Sequence, residues 1–194
     1  MFIKNWKQEI CTVPNLLSLF RLALLPVYAG IYLNATEEYA YLVAGSIMVL
    51  SCATDLLDGQ IARRFNQVTN LGKILDPLAD KITQFTLTLC LSLKYPVLNP
   101  VLVLFVVKEV FQLVVGLAFL LKGRMLSGAL MAGKLCTTVL FTSLIALVLF
   151  PDLDPAAVNS IALADGVFLV FSLVSYILAY FGKGSKVQRL DTGT

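Results

Sequence analysis

The chain has 194 residues, of which 58% are hydrophobic and only 14% are charged, and its formal net charge is +3. Water-soluble domains are closer to half apolar and a quarter charged, so the composition predicts an integral membrane protein with a single domain over residues 1–194. The small net charge argues against a nucleic-acid-binding surface. Because the chain contains no histidine, a general base would have to be an Asp, Glu, Lys or Tyr side chain.

Residues 1–12 form the first predicted element. Phe2, Trp6 and Ile10 recur at helical spacing, while Lys4 and Lys7 lie off this apolar stripe. The pattern is typical of an amphipathic helix lying in the membrane interface. The segment lacks the features of a cleavable signal peptide.

Six apolar stretches follow, each long enough to cross a bilayer as a helix of roughly 20 residues. They cover residues 14–33, 39–57, 72–93, 98–121, 132–150 and 157–181. We therefore predict an all-α integral membrane fold. Six transmembrane helices would form one bundle over residues 13–182, and a cytoplasmic tail would follow at residues 183–194.

The basic residues indicate an orientation for this bundle. Most Lys and Arg residues fall on the side that would carry both termini, whereas the opposite connections contain acids and a single basic residue, Lys94. Cytoplasmic loops carry an excess of Lys and Arg. We expect a multi-pass protein of a bacterial-type cytoplasmic (inner) membrane, with both termini and the acid-rich segment on the cytoplasmic side.

The acid-rich segment, residues 54–81, reads TDLLDGQIARRFNQVTNLGKILDPLADK. Asp55 and Asp58 are three residues apart, and Asp76 and Asp80 are four apart, so each pair would share one helix face. If the two helices are antiparallel neighbours, the four carboxylates meet and repel one another. A hard divalent cation such as Mg²⁺ or Mn²⁺ would resolve that repulsion.

Small and basic residues accompany these acids. Gly59, Ala62 and Gly72 would let a ligand approach the helix backbones, and Arg63 could form bidentate contacts with phosphate oxygens. Together they favour a phosphoanhydride site at the membrane surface. Two alternatives stay open at this point: an ion-coupled transporter with intramembrane acids, and a purely structural network of salt bridges.

The same residues carry a family resemblance. The pattern D-x-x-D-G-x-x-A-R at residues 55–63, followed by G-x-x-x-D-x-x-x-D at residues 72–80, resembles the signature of the CDP-alcohol phosphotransferases. The segments VPNLLSLFRLALLPV and LDPLADK are similar to the bacterial phospholipid synthases of that family. The resemblance implies a six-helix homodimeric membrane enzyme. An acceptor hydroxyl attacks the lipid-side phosphorus of a CDP-linked lipid, here CDP-diacylglycerol, and CMP leaves.

The resemblance also implies a role for each matching position. Asp55, Asp58 and Asp76 would ligate two metal ions. Asp80 would lie at the same metal site and act as the general base. The positions that make room for the cytidine nucleotide and steady its diphosphate are Gly59, Ala62, Gly72 and Arg63.

The acceptor is predicted from further likeness. The chain resembles the branch of bacterial phosphatidylglycerolphosphate synthases, whose acceptor is glycerol 3-phosphate. The basic residues that could hold the acceptor phosphate are Arg21, Lys108, Arg124 and Lys134. Lys108 stands where that branch has Arg, and Cys136 replaces a lysine of its Gly-Lys-x-Lys-Thr segment. The alternatives are therefore cardiolipin synthase, whose acceptor is phosphatidylglycerol, or another CDP-alcohol phosphatidyltransferase.

Overall fold

The computed structural model of the protein describes residues 12–64, 72–126, 130–182 and 187–189. The side chains of residues 13–14, 55–64, 73–74, 125–126 and 187–189 are outside this description. The predicted interfacial helix at residues 1–12 and the predicted tail at residues 183–194 lie almost wholly outside the described residues, and both stay predictions.

The described part of the chain is helical almost throughout, as its composition predicts. The α-helices are α1 (Val13–Leu33), α2 (Glu38–Arg64), α3 (Gly72–Lys94), α4 (Asn99–Leu121), α5 (Met131–Leu149) and α6 (Pro155–Phe181), with a short 3₁₀ turn at Pro96–Leu98. Each corresponds to one of the six predicted stretches. Pro155 is the first residue of α6, and Pro14 and Pro100 are the second residues of α1 and α4, where the missing N–H of proline costs no intrahelical hydrogen bond.

Helix α2 continues beyond the predicted membrane span of residues 39–57 and ends at Arg64. Apolar residues give way to charged ones after Thr54, and hydropathy indicates where a membrane span ends rather than where a helix ends. Residues 54–64 of the acid-rich segment are therefore helical.

Four helical segments are long and apolar enough to cross a membrane among the residues described. They are Asn15–Leu33, Pro96–Leu121, Met131–Leu149 and Pro155–Phe181. Helix α2 has a shorter apolar part, Glu38–Thr54, and α3 carries charged residues in its first turns. The fold is that of a multi-pass helical membrane protein.

The surface composition agrees with a lipid environment. Large apolar side chains point outward along the spans, where water would penalise them and lipid would not. Leu33, Leu113, Leu135 and Leu163 are all more than half exposed.

The described chain also contains two short strands, which the all-α prediction missed. β1 (Arg124–Leu126) pairs antiparallel with β2 (Val187–Arg189), and Arg124 lies opposite Arg189. Gly123, with φ of +66°, turns the chain between α4 and β1 in a conformation that favours glycine. Strands of three residues are too short to give a recognisable alternation in the sequence.

The chain forms two compact units. One comprises Met1–Leu91 with Ile145–Asp152, and the other comprises Ser92–Leu144 with Leu153–Thr194. In the first unit α1 packs along α2, with Tyr28 and Met48 fully buried. In the second unit α4 packs against α6, with Phe105 and Leu169 buried.

Candidate active site

Helix α3 presents two carboxylates of the predicted site on one face. Asp76 and Asp80 are four residues apart near the start of α3, so their side chains lie on the same face of the helix, about one turn apart. Gly72, at the first position of α3, is buried one turn before Asp76. Pro77 lies between the two acids and lacks an N–H, so the carbonyl of residue 73 has no intrahelical donor from that position.

Helix α1 supplies a hydrogen-bond donor for each of these carboxylates. Ser18 Oγ donates to Asp76 Oδ1 at 2.6 Å, and Arg21 Nη1 donates to Asp80 Oδ1 at 2.8 Å. Ser18 and Arg21 are three residues apart on α1, a spacing that also places them on one face. The structure therefore matches two residues of α1 with two residues of α3.

Burial differs sharply between donors and acceptors. Ser18 is 0% exposed and Arg21 is 2% exposed, whereas the side chain of Asp80 is 46% exposed. A buried guanidinium requires a partner that offsets its loss of hydration, and the ion pair with Asp80 is such a partner. The Asp80 carboxylate thus has one oxygen paired with a buried cation, while its side chain is partly exposed.

The other predicted metal ligands lie on α2. Asp55 and Asp58 fall inside the helix, three residues apart, so the predicted shared face agrees with the observed backbone. Their side chains, and those of Gly59, Ala62 and Arg63, lie outside the described residues. Among the side chains that are described, no three or more His, Cys, Asp or Glu groups converge as a metal site would require. The four-carboxylate cluster stays a prediction.

The basic candidates for the acceptor phosphate lie in different surroundings. Arg21 belongs to the first unit and is buried beside Asp80, while the other three belong to the second unit. Lys108 is 3% exposed on α4, and its Nζ donates to Glu109 Oε1 at 2.6 Å. Arg124, in β1, and Lys134, in the first turn of α5, are exposed.

Sequence reasoning missed the contact of Arg21 with Asp80 and two contacts between a serine and an aspartate of another helix. Ser18 stands three residues before Arg21 in the segment already compared with phospholipid synthases, and this spacing could have indicated a polar face on α1. Asp165 is 1% exposed within α6, and Ser143 Oγ of α5 donates to both of its carboxylate oxygens at 2.9 and 2.7 Å. An acid inside an apolar span is by itself a signal of a specific partner.

Comparison with known proteins defines the family. The family description of CDP-alcohol phosphatidyltransferases matches residues 11–178. A CDP-diacylglycerol–glycerol-3-phosphate 3-phosphatidyltransferase of Aquifex aeolicus is 34% identical over 170 residues, which are 87% of this chain and 91% of that protein. The chain therefore belongs to the CDP-alcohol phosphatidyltransferase family, and the predicted resemblance is confirmed.

Two further relatives match over shorter regions. A protein of Pseudomonas fluorescens with the same name as the Aquifex relative is 39% identical over 70 residues, 36% of this chain and 35% of that protein. A cardiolipin synthase (CMP-forming) of Rattus norvegicus is 47% identical over 91 residues, 46% of this chain and 28% of that protein. The likeness over nearly the whole chain is thus to a glycerol-3-phosphate enzyme, while a higher local identity is shared with a cardiolipin synthase.

Proposed function

We propose that this chain transfers the phosphatidyl group of CDP-diacylglycerol to the hydroxyl of glycerol 3-phosphate, releasing CMP and phosphatidylglycerol phosphate. The observation that carries the proposal is the pair Asp76 and Asp80 on one face of α3, each held by a donor of α1. Both acids belong to the pattern that resembles the family's signature, and the match to the family covers residues 11–178. The relative from Aquifex aeolicus, aligned over 91% of its length, supports this acceptor.

The donor set suits a hard metal ion. Asp55, Asp58, Asp76 and Asp80 offer carboxylate oxygens, which Mg²⁺ and Mn²⁺ prefer, and a pair of ions would occupy them. A carboxylate has about four lone-pair sites, so a hydrogen bond to Oδ1 from Ser18 or Arg21 is compatible with metal ligation. Metal ions held by these carboxylates would neutralise the diphosphate charge and stabilise CMP as a leaving group.

The transfer itself balances with Asp80 as the base. The acceptor oxygen forms a bond to the lipid-side phosphorus, and the bond between that phosphorus and the CMP oxygen breaks, with CMP taking the electron pair. The Asp80 carboxylate accepts the hydroxyl proton, and its 46% exposed side chain leaves room for the acceptor to approach.

The remaining predicted roles concern binding. Gly59, Ala62 and Gly72 make space for the cytidine nucleotide, and Arg63 steadies its diphosphate. Exposure favours Lys134 and Arg124 over buried Arg21 as contacts for a phosphate arriving from the cytosol.

The membrane arrangement is part of the proposal. All six helices cross a cytoplasmic membrane, α2 and α3 with their charged ends in the headgroup layer, and both termini and the site face the cytoplasm. The positions of the charged residues support this arrangement. They lie at the C-terminal end of α2 and the N-terminal end of α3, on either side of residues 65–71. The chain acts as a homodimer.

The test is CMP release by the purified chain in a lipid bilayer containing CDP-diacylglycerol, with a panel of acceptors. We expect release with glycerol 3-phosphate. Release with phosphatidylglycerol alone would instead identify a cardiolipin synthase, the candidate favoured by the 47% local identity to the Rattus norvegicus relative. Ion flux across vesicles without CMP formation would identify the transporter alternative.

A further inference from the structure

Two residues of α1 lie behind the acids of α3 in matched order. Ser18 contacts Asp76 and Arg21 contacts Asp80, and both contacts reach the Oδ1 atom of the carboxylate. The two donors are three residues apart on α1 and the two acids are four residues apart on α3, so each donor lies beside one acid. A face of one helix is therefore complementary to a face of the other.

Burial excludes these donors from direct contact with substrate. Ser18 and Arg21 have 0% and 2% of their surface exposed, and their described contacts with the predicted site are those with the Asp76 and Asp80 carboxylates. This distinguishes Arg21 from the exposed basic residues predicted to bind the acceptor phosphate.

A donor fixed behind a carboxylate decides how that carboxylate points. A hydrogen bond at Oδ1 restricts rotation about the last side-chain torsion, and a charge-assisted bond such as that from Arg21 is about twice as strong as a neutral one. Partners of this kind orient metal ligands, and their removal lowers metal affinity by about 10- to 100-fold.

We propose that Ser18 and Arg21 are positioning residues that hold the Asp76 and Asp80 carboxylates in the orientation that binds the metal ion. The inference rests on the proposed function, in which Asp76 and Asp80 bind metal. It goes beyond that function because it gives two side chains of α1 a role in orienting those acids. It also replaces a role for Arg21 in acceptor binding with a role toward Asp80.

A structural clamp between α1 and α3 would use the same contacts, so the test needs a matched control. Ser143 provides one, because its Oγ also donates to an aspartate of another helix, Asp165. Ser143→Ala and Ser18→Ala each remove one serine-to-aspartate contact between helices. A clamp changes stability alone, whereas a positioning residue also changes metal affinity.

The experiment measures Mn²⁺ binding to the full chain in lipid nanodiscs, without substrate, by electron paramagnetic resonance, alongside thermal unfolding. We expect Ser18→Ala and Arg21→Gln to raise the Kd for Mn²⁺ about 10-fold or more. Arg21→Lys keeps the charge without the guanidinium geometry, and we expect a smaller increase in Kd. Ser143→Ala should leave the Kd unchanged while it lowers the unfolding temperature.

The outcomes separate this inference from the proposed function. An unchanged Kd in Ser18→Ala and in both Arg21 variants, or a wild-type chain that binds no Mn²⁺, overturns the inference. If Arg21→Gln does not fold, Arg21→Lys and Ser18→Ala decide the matter. Failure of the wild-type chain to release CMP with any acceptor overturns the proposed function, whatever the Kd values show.

Discussion

Ser143 of α5 and Asp165 of α6 form a hydrogen-bonded pair inside the apolar part of the second unit. The serine hydroxyl lies 2.9 and 2.7 Å from the two carboxylate oxygens, and Asp165 is 1% exposed. Such a contact joins two helices whose sequences are mostly apolar. Because a polar group in hydrocarbon needs a partner, the pair also restricts how α5 and α6 can slide along each other.

Removing this donor should destabilise the protein. In Ser143→Ala the Asp165 carboxyl loses its hydrogen-bond donor, and we expect a loss of about 1–3 kcal/mol in the free energy of unfolding. Thermal or denaturant unfolding in detergent measures it. Ser160→Ala is the control, because Ser160 is exposed and donates only within its own helix to the Ala156 carbonyl. Equal stability of the two variants would contradict the prediction.

Asp80→Asn should abolish turnover while the fold persists. The amide cannot take a proton from the acceptor hydroxyl, so we expect CMP release to fall by about 10²-fold or more. Its carbonyl oxygen can still accept the hydrogen bond from Arg21 Nη1, and nucleotide binding should be retained in part. The control is Asp152→Asn, in an exposed connection. Near-normal CMP release by the Asp80 variant would show that Asp80 is not the base.

Asp58→Asn, in contrast, should weaken metal binding.

Removal of divalent metal should stop the reaction. If carboxylates hold the ions that neutralise the diphosphate, excess chelator will reduce CMP release to background, and added Mg²⁺ or Mn²⁺ will restore it. The measurement is CMP formation in chelator-treated nanodiscs, with each metal titrated back. Full activity in excess chelator would refute the metal site.

Lys134→Ala should weaken binding of the phosphorylated acceptor. A charged hydrogen bond contributes about 1.5–3 kcal/mol, so the KM for glycerol 3-phosphate should rise about tenfold or more while the KM for CDP-diacylglycerol stays constant. Lys122→Ala is matched in charge and is likewise exposed, and we expect little effect from it. Equal KM values in the two variants would remove Lys134 from the acceptor site.

Gly133→Ala should strain the start of α5. A Cβ at this position would lie 2.5 Å from Tyr176 Oη and 3.0 Å from its Cε2. We expect a loss of about 1–3 kcal/mol in unfolding free energy, partly recovered in the double variant with Tyr176→Phe, which removes the nearest atom. Gly30→Ala is the control, because nothing lies within 4 Å of a Cβ there. An effect no larger than that of Gly30→Ala would show that Tyr176 moves aside freely.

The sequence predicted the helices well because each apolar stretch has the length a bilayer requires. Hydropathy did not indicate where helix α2 ends, because the apolar stretch ends at Thr54 whereas the helix continues to Arg64. The strands β1 and β2 were not predicted for two reasons. Each is only three residues long, and the two paired segments are more than 60 residues apart in the chain.

For the site, spacing predicted that Asp76 and Asp80 share a face. Their partners could not be read in the same way, since Ser18 and Arg21 lie 58 and 59 residues away along the chain. Only packing of α1 beside α3 decides which polar residue meets which acid. Periodicity can identify a polar face, but the partner of that face depends on tertiary structure.

The length of α2 has a kinetic consequence. Its 27 residues rise about 40 Å, while the hydrocarbon core of a bilayer is about 30 Å thick. On the six-span arrangement proposed above, the surplus is the acid-bearing end, which stands among the lipid headgroups. A lipid donor then reaches the reacting groups by diffusing sideways within its own leaflet. Turnover should accordingly follow the mole fraction of CDP-diacylglycerol in the bilayer, and diluting the vesicles with buffer should leave it unchanged as long as the water-soluble acceptor is saturating.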